Sequence, residues 1–114
     1  MISTRFNLTG DSGVNAALTL TKTGVAGKRY FVTGYSVVIS GAAAVNDISI
    51  LLVDGSTTIW KDWIGTAAPR GTKATHQFAD PIAMTKGADA KLVCIAGGAG
   101  VVLTLNLRGY EQEF

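Results

Sequence analysis

The sequence predicts an all-β fold, an eight-stranded antiparallel β-sandwich of jelly-roll type, and three observations carry that prediction. Residues 28–41, KRYFVTGYSVVISG, form the longest unbroken run of β-type residues in the chain. Residues 101–110, VVLTLNLRGY, alternate strictly: Val101, Leu103, Leu105 and Leu107 fall on one face, and Val102, Thr104, Asn106 and Arg108 on the other. Turn residues recur about every ten positions, with no amphipathic helical stretch of useful length between them. A small up-and-down barrel is the alternative closure.

Taken in order, Ile2, Thr4, Phe6 and Leu8 alternate with Ser3, Arg5 and Asn7 in a first strand that ends at the turn Gly10-Asp11-Ser12-Gly13. Val14, Ala16, Leu18 and Leu20 share one face of a second. Residues 24–27, GVAG, break the chain before the central strand. There Phe31, Tyr35, Val37 and Ile39 are expected on the buried face, with Tyr30, Gly34, Ser36 and Ser40 opposite. Residues 41–44, GAAA, are too short for a stable helix and read as a loop. Residues 47–53 make a fourth strand with Ile48, Ile50 and Leu52 inward. Asp54-Gly55 then predicts a type I′ hairpin into a fifth strand over residues 56–64. Residues 72–78 form a sixth strand, broken at Ala79-Asp80-Pro81 because proline cannot donate to a ladder, and residues 81–88 cross over. The seventh strand covers 91–96, and residues 97–100, GGAG, turn tightly into the eighth at Val101. This last strand is the best antiparallel partner for the central one.

Composition bounds the function. A chain of 114 residues is one domain, 1–114, long enough to bury a core without disulfide or metal. Its 47% apolar content, with 14 glycines and 2 prolines, excludes disorder and collagen-like repeats. Ten Lys and Arg against eight Asp and Glu give a formal charge of +2, and the basic residues are scattered from Arg5 to Arg108, so no nucleic-acid partner is expected. The N-terminus lacks a basic segment followed by an apolar one, and no run of 18 apolar residues occurs. The chain is therefore expected to be made and kept soluble, with no membrane partner. Asn7-Leu8-Thr9 matches a glycosylation sequon, which has no meaning without a secretory route.

The residues offer no catalytic constellation, so no enzyme is expected. Cys94 is the single cysteine and lies in the apolar run LVCIA, where it reads as a small buried hydrophobe. His76 is the single histidine, on a strand with no nucleophile in an elbow motif nearby. Asp47, Asp54, Asp62, Asp80 and Asp89 lie mostly at strand ends and turns, where carboxylates bond neighbouring amides, and their spacing is not that of a calcium loop. The glycines at 97, 98 and 100 lead into a strand rather than a helix, so they do not make a phosphate loop. No cofactor and no metal site is expected. Tyr30, Trp60, Trp63 and Tyr110 stand out instead. Trp60 and Trp63 have opposite parity on one strand, so one can pack inside while the other faces outward.

The order of motifs resembles small virion proteins of tailed bacteriophages. KRYFVTGYSVVIS at 28–40, the Asp54-Gly55 hairpin, FADPIAM at 78–84 with KLV at 91–93, and LNLRGYE at 105–111 match the pattern of a basic-aromatic strand, a DG hairpin, an F-x-x-P crossover and a closing strand ending in G-Y. The resemblance covers about residues 28–111. It implies a jelly-roll β-sandwich of the head decoration, or capsid cement, type, often assembled as trimers on the shell, and it brings no catalytic motif. The implied partners are further copies of the chain, as a homotrimer, and the major capsid protein of the phage head. The implied location is the capsid surface of the virion, after synthesis in the host cytoplasm.

Such a role needs exposed contact surface, and the candidates for self-association or shell contact are Met1, Ile2, Arg5, Tyr30, Trp60, Trp63, Tyr110 and Phe114. A trimer would also cover sheet edges that a monomer leaves open. Two other readings compete. One is a carbohydrate-binding β-sandwich module using Trp60, Trp63 and Tyr30 as a stacking platform; the other is a structural place in the phage tail or baseplate.

Overall fold

In the computed structural model, which describes residues 3–113, eight strands follow one another: β1 (Ser3–Asp11), β2 (Leu18–Lys22), β3 (Lys28–Ser40), β4 (Ile48–Asp54), β5 (Thr57–Ile64), β6 (Lys73–Ala83), β7 (Ala90–Cys94) and β8 (Val102–Glu113). They form two four-stranded sheets, ordered β1-β8-β3-β6 and β2-β7-β4-β5. The antiparallel pairs β4–β5, β3–β6, β2–β7 and β1–β8 nest inside one another, as if a single long hairpin had been rolled up. The additional pairs β3–β8 and β4–β7 close each sheet. This nesting defines a jelly roll, so the fold class expected from the sequence is the one observed.

The core lies between the sheets. Val37 and Ile39 of β3, Leu103, Leu105 and Leu107 of β8, Ile48, Ile50 and Leu52 of β4, and Leu92 and Cys94 of β7 are all buried. The alternation read in β8 and β4 therefore marks the buried faces as expected. Cys94 fills core volume, and burial pushes its thiol up to about 12.

β3 departs from its expected parity. Val32 pairs with Gly109 and Gly34 with Arg108, so Thr33 is an extra residue bulged out of register. A bulge of one residue moves every side chain beyond it to the other face. Tyr30 and Val32 are consequently buried together with Tyr35, Val37 and Ile39, while Phe31, expected inside, stands outside. The same bulge explains the run of β6 through Pro81. Gln77 pairs with Gly34 and Ile82 with Val32, leaving residues 78–81 opposite Thr33 without ladder partners. Proline is tolerated there because β6 is an edge strand and the position lies in the irregularity, so the strand continues to Ala83 instead of breaking at residue 79.

Three further boundaries move. Ser12 continues the pairing toward β8, donating its backbone N–H to the Leu103 carbonyl at 2.7 Å while its hydroxyl accepts the Leu103 N–H at 2.8 Å. The chain then turns through Asn15 at φ 50°, a left-handed conformation that no strand accommodates, so Val14 is exposed in a turn and β2 begins only at Leu18. Asp54 pairs with Thr57, so the hairpin residues are Gly55 and Ser56. Gly55 at φ 63°, followed by a residue of ordinary φ, matches a type II′ turn in place of the expected type I′. β8 runs past Tyr110 to Glu113, where it pairs with Lys28.

Candidate functional site

The outer face of the sheet β1-β8-β3-β6 is assembled by its register. Arg5 lies beside Tyr110, which lies beside Phe31; two residues along, Asn7 lies beside Arg108 and Arg108 beside Gly34. Phe31 and Tyr110 stack with ring centroids 5.0 Å apart and planes 10° from parallel. Beside the stack is a hollow of about 490 Å³ lined by Arg5, Asn7, Thr33, Gln77, Arg108 and Tyr110, among others. The bulge makes it, by lifting Thr33 out of the ladder and opening β6 below Gln77. Two glycines shape the site from opposite sides. At the inner face a Cβ on Gly109 would lie 2.1 Å from the Phe31 carbonyl oxygen, so Gly109 lets β3 and β8 approach; at the outer face one on Gly34 would lie 2.8 Å from Arg108 Nη2, so Gly34 leaves room for the guanidinium. Arg108 Nη1 donates to Asn106 Oδ1, and Asn106 Nδ2 donates to Asn7 Oδ1, which fixes the Arg108 side chain across the sheet.

A second cluster sits inside the sandwich where edge strands β5 and β6 approach. Tyr35 donates its hydroxyl proton to Asp62 Oδ2 at 2.7 Å and accepts one from Trp60 Nε1 at 2.9 Å. His76 packs against Trp60 and against Phe78, each at 4.7 Å between centroids, and Trp60 meets Phe78 edge-on at 5.0 Å. Burial raises the Tyr35 hydroxyl well above its ordinary value, and the bond to Asp62 adds to the shift. With the His76 and Phe78 rings beside the Tyr35 ring and its hydroxyl bonded to Asp62 and Trp60 of β5, this is a structural network that joins the sheets.

Trp63 stands on the opposite outer face, 60% exposed, beside a smaller hollow of about 330 Å³ that includes Ser49, Thr58 and Lys61.

The structure brings together two of the sequence candidates, Arg5 and Tyr110, on adjacent strands. Two others leave the surface. Tyr30 is 1% exposed, turned inward by the Thr33 bulge; it meets Phe6 edge-on and its hydroxyl donates to the Thr23 carbonyl at 2.5 Å. Trp60 is half-buried in the inter-sheet cluster, whereas Trp63 faces outward, as the opposite parity of the two tryptophans implied. The aromatic platform of Tyr30, Trp60 and Trp63 therefore does not exist. Met1, Ile2 and Phe114 lie outside the described residues. Sequence reasoning missed Phe31, Gln77 and the pairing of Arg108 with Arg5 across one hollow. Arg108 was already legible as outward-facing from the alternation of β8, but Phe31 was concealed by the bulge. The aspartates behave as their positions implied. Asp47 accepts from the backbone and hydroxyl of Thr66, Asp54 from those of Thr85, and Asp89 from Gly24 N.

No protein-family model and no curated protein matches the chain. Among solved structures, the chain is similar to the insecticidal delta-endotoxin Cry8Ea1 from Bacillus thuringiensis, with 17% identity and a TM-score of 0.43 over 93% of its length, while spanning only 18% of the toxin. It is similar to the CBM36-1 domain of a multidomain xylanase from the hindgut metagenome of Trinervitermes trinervoides, with 14% identity, a TM-score of 0.41, and coverage of 96% of this chain and 95% of that domain. It is also similar to the Tobacco streak virus coat protein, with 10% identity, a TM-score of 0.42, and coverage of 96% and 88%. Likenesses at these values assign neither family nor function.

Proposed function

We propose that this chain is a structural protein of a tailed-bacteriophage virion, a decoration protein that binds the outer surface of the head as a homotrimer and adds contact area between copies of the major capsid protein. One observation carries the reading. Two of the candidate contact residues, one near each end of the sequence, share a single surface, because β1 and β8 pair from Ser3↔Gln112 to Asp11↔Thr104 and set Arg5 beside Tyr110. An exposed patch that combines stacked aromatics with arginines has the composition of a protein-binding surface. The groups that could do acid–base or nucleophilic work support a non-enzymatic role: Cys94 is sealed in the core and His76 is packed among rings.

Removing residues 1–10 cannot test the contact, since it would delete most of β1 and take Phe6 out of the core. The test is immunogold electron microscopy of particles from a producing culture, with antibody to the recombinant chain. Even label over heads is the expected result, and Tyr110→Ala should weaken attachment while leaving the β spectrum unchanged. Label at the tail would move the protein to the tail or baseplate. Absence of label from particles would discard the virion reading and bring forward a sugar-binding module centred on Trp63, for which glycan-array binding lost on Trp63→Ala is the check.

A further inference from the structure

We propose that the hollow between Arg5 and Arg108 is a receptor for carboxylate groups carried on an extended acidic segment of a partner protein, an inference that rests on reading this face as the attachment surface. Two guanidinium groups line one hollow, yet no Asp or Glu is among its lining residues. Arg5 is exposed and makes no ion pair or hydrogen bond with any described residue. Two cations facing the same space repel unless an anion enters between them, and arginine forks bind carboxylates in two-point geometry. Arg108 is already positioned: Asn106 holds Nη1, and the missing side chain of Gly34 lets Nη2 lie over β3. Its ordering entropy is therefore spent before a ligand arrives. Thr33 and Gln77 supply uncharged hydrogen-bonding groups at the rim.

The spacing favours a peptide over a small anion. Arg108, Arg5 and Arg29 project from successive rows of the same face, at the levels of residues 108, 110 and 112 of β8. Rows lie about 7 Å apart, which is also the repeat of same-side residues in an extended chain. The third row adds a further cation, Arg29, whose Nε has no hydrogen-bond partner among the described residues. A strand-like segment with acidic residues at alternate positions would meet the three guanidinium groups in turn, with its backbone passing the Phe31–Tyr110 stack.

The experiment is calorimetric titration of the full chain with a capped synthetic peptide of alternating Glu and Thr. Alternating Gln and Thr, and an oligogalacturonate, serve as comparison probes. Saturable binding of the Glu peptide is expected, weakened by added salt and absent with the Gln peptide. Arg5→Gln and Arg108→Gln should each weaken it roughly tenfold, as for loss of a charged hydrogen bond, with Trp63→Ala unchanged and circular dichroism confirming the fold of each variant. Absence of Glu-peptide binding, indifference to both arginine substitutions, or binding of oligogalacturonate in its place would overturn the proposal. Label on heads without peptide binding rejects the receptor and keeps the virion reading. Peptide binding without label on particles does the reverse.

Discussion

Tyr35 of β3 and Asp62 of β5 bind one another across the sandwich, hydroxyl to carboxylate at 2.7 Å, and so tie the two sheets together where their edge strands meet. Trp60 Nε1 completes the hydroxyl's bonding at 2.9 Å. A phenol and a carboxylate among rings are tolerated because each finds a partner, and the rings of His76 and Phe78 cover them.

Tyr35→Phe should cost about 1–3 kcal/mol, because it strands both the Asp62 oxygen and the Trp60 N–H. The guanidinium unfolding midpoint should fall with an unchanged slope. The pH dependence has a definite sign. The Tyr35 hydroxyl is raised above its ordinary 10.0, so its contribution is complete below pH 10 and declines as pH rises toward the folded value. Wild type and Tyr35→Phe should therefore converge in stability above pH 10, and a constant gap would contradict the assignment.

The two tryptophans separate structure from surface. Trp60→Ala removes the centre of the edge cluster and should cost about 3 kcal/mol, the low end for truncating a buried tryptophan, since Trp60 is only half-buried. Trp63→Ala, at a site 60% exposed, should change stability by less than about 0.5 kcal/mol. Thermal melts of the two variants decide the point, and equal losses would mean that Trp63 is packed in solution.

These contrasts mark where the sequence was legible. Strict alternation in β8 and β4 identified the core, because a period of two fixes which side chains are buried wherever no residue is inserted. β3 carries the same pattern with one insertion, and apolar residues on both sides of Thr33 conceal it: Tyr30 and Phe31 are each acceptable in either place, and only the pairing with Gly109 and Arg108 decides between them. Pro81 misled for the same reason, since its effect depends on whether its strand lies at an edge, which is a property of the sheet and not of the segment. The Arg5–Arg108 hollow joins residues about a hundred positions apart in sequence, so it emerges only once β1 is placed beside β8.

Asp47 offers an acid-side test. Its carboxylate accepts the Thr66 N–H at 2.7 Å and the Thr66 hydroxyl at 2.8 Å, and these bonds hold its pKa below the ordinary 3.8. A depressed carboxylate stabilises the fold above its unfolded pKa, and that contribution is lost as pH falls through the folded value. The stability difference between wild type and Asp47→Asn should thus be constant near neutrality and shrink below about pH 4. A difference that persisted unchanged into strong acid would show that the asparagine variant loses something other than the charged bonds.

Gly109 tests the bulge itself. It sits opposite Val32 and Phe6, at the inner face of β8, where the chain of β3 swings close before Thr33 leaves the ladder. A methyl group there would meet the Phe31 carbonyl oxygen at 2.1 Å and the Phe6 ring at 2.7 Å, and the first of these is backbone that cannot rotate aside. Gly109→Ala should therefore cost about 1–3 kcal/mol through overpacking, although alanine suits a strand better than glycine does. It should also disturb the Phe31–Tyr110 stack, visible as shifted Tyr110 ring resonances in NMR spectra. Unchanged stability together with unchanged ring resonances would mean that β3 and β8 lie farther apart at this point, and that the hollow beside Arg5 is shaped by something other than the bulge.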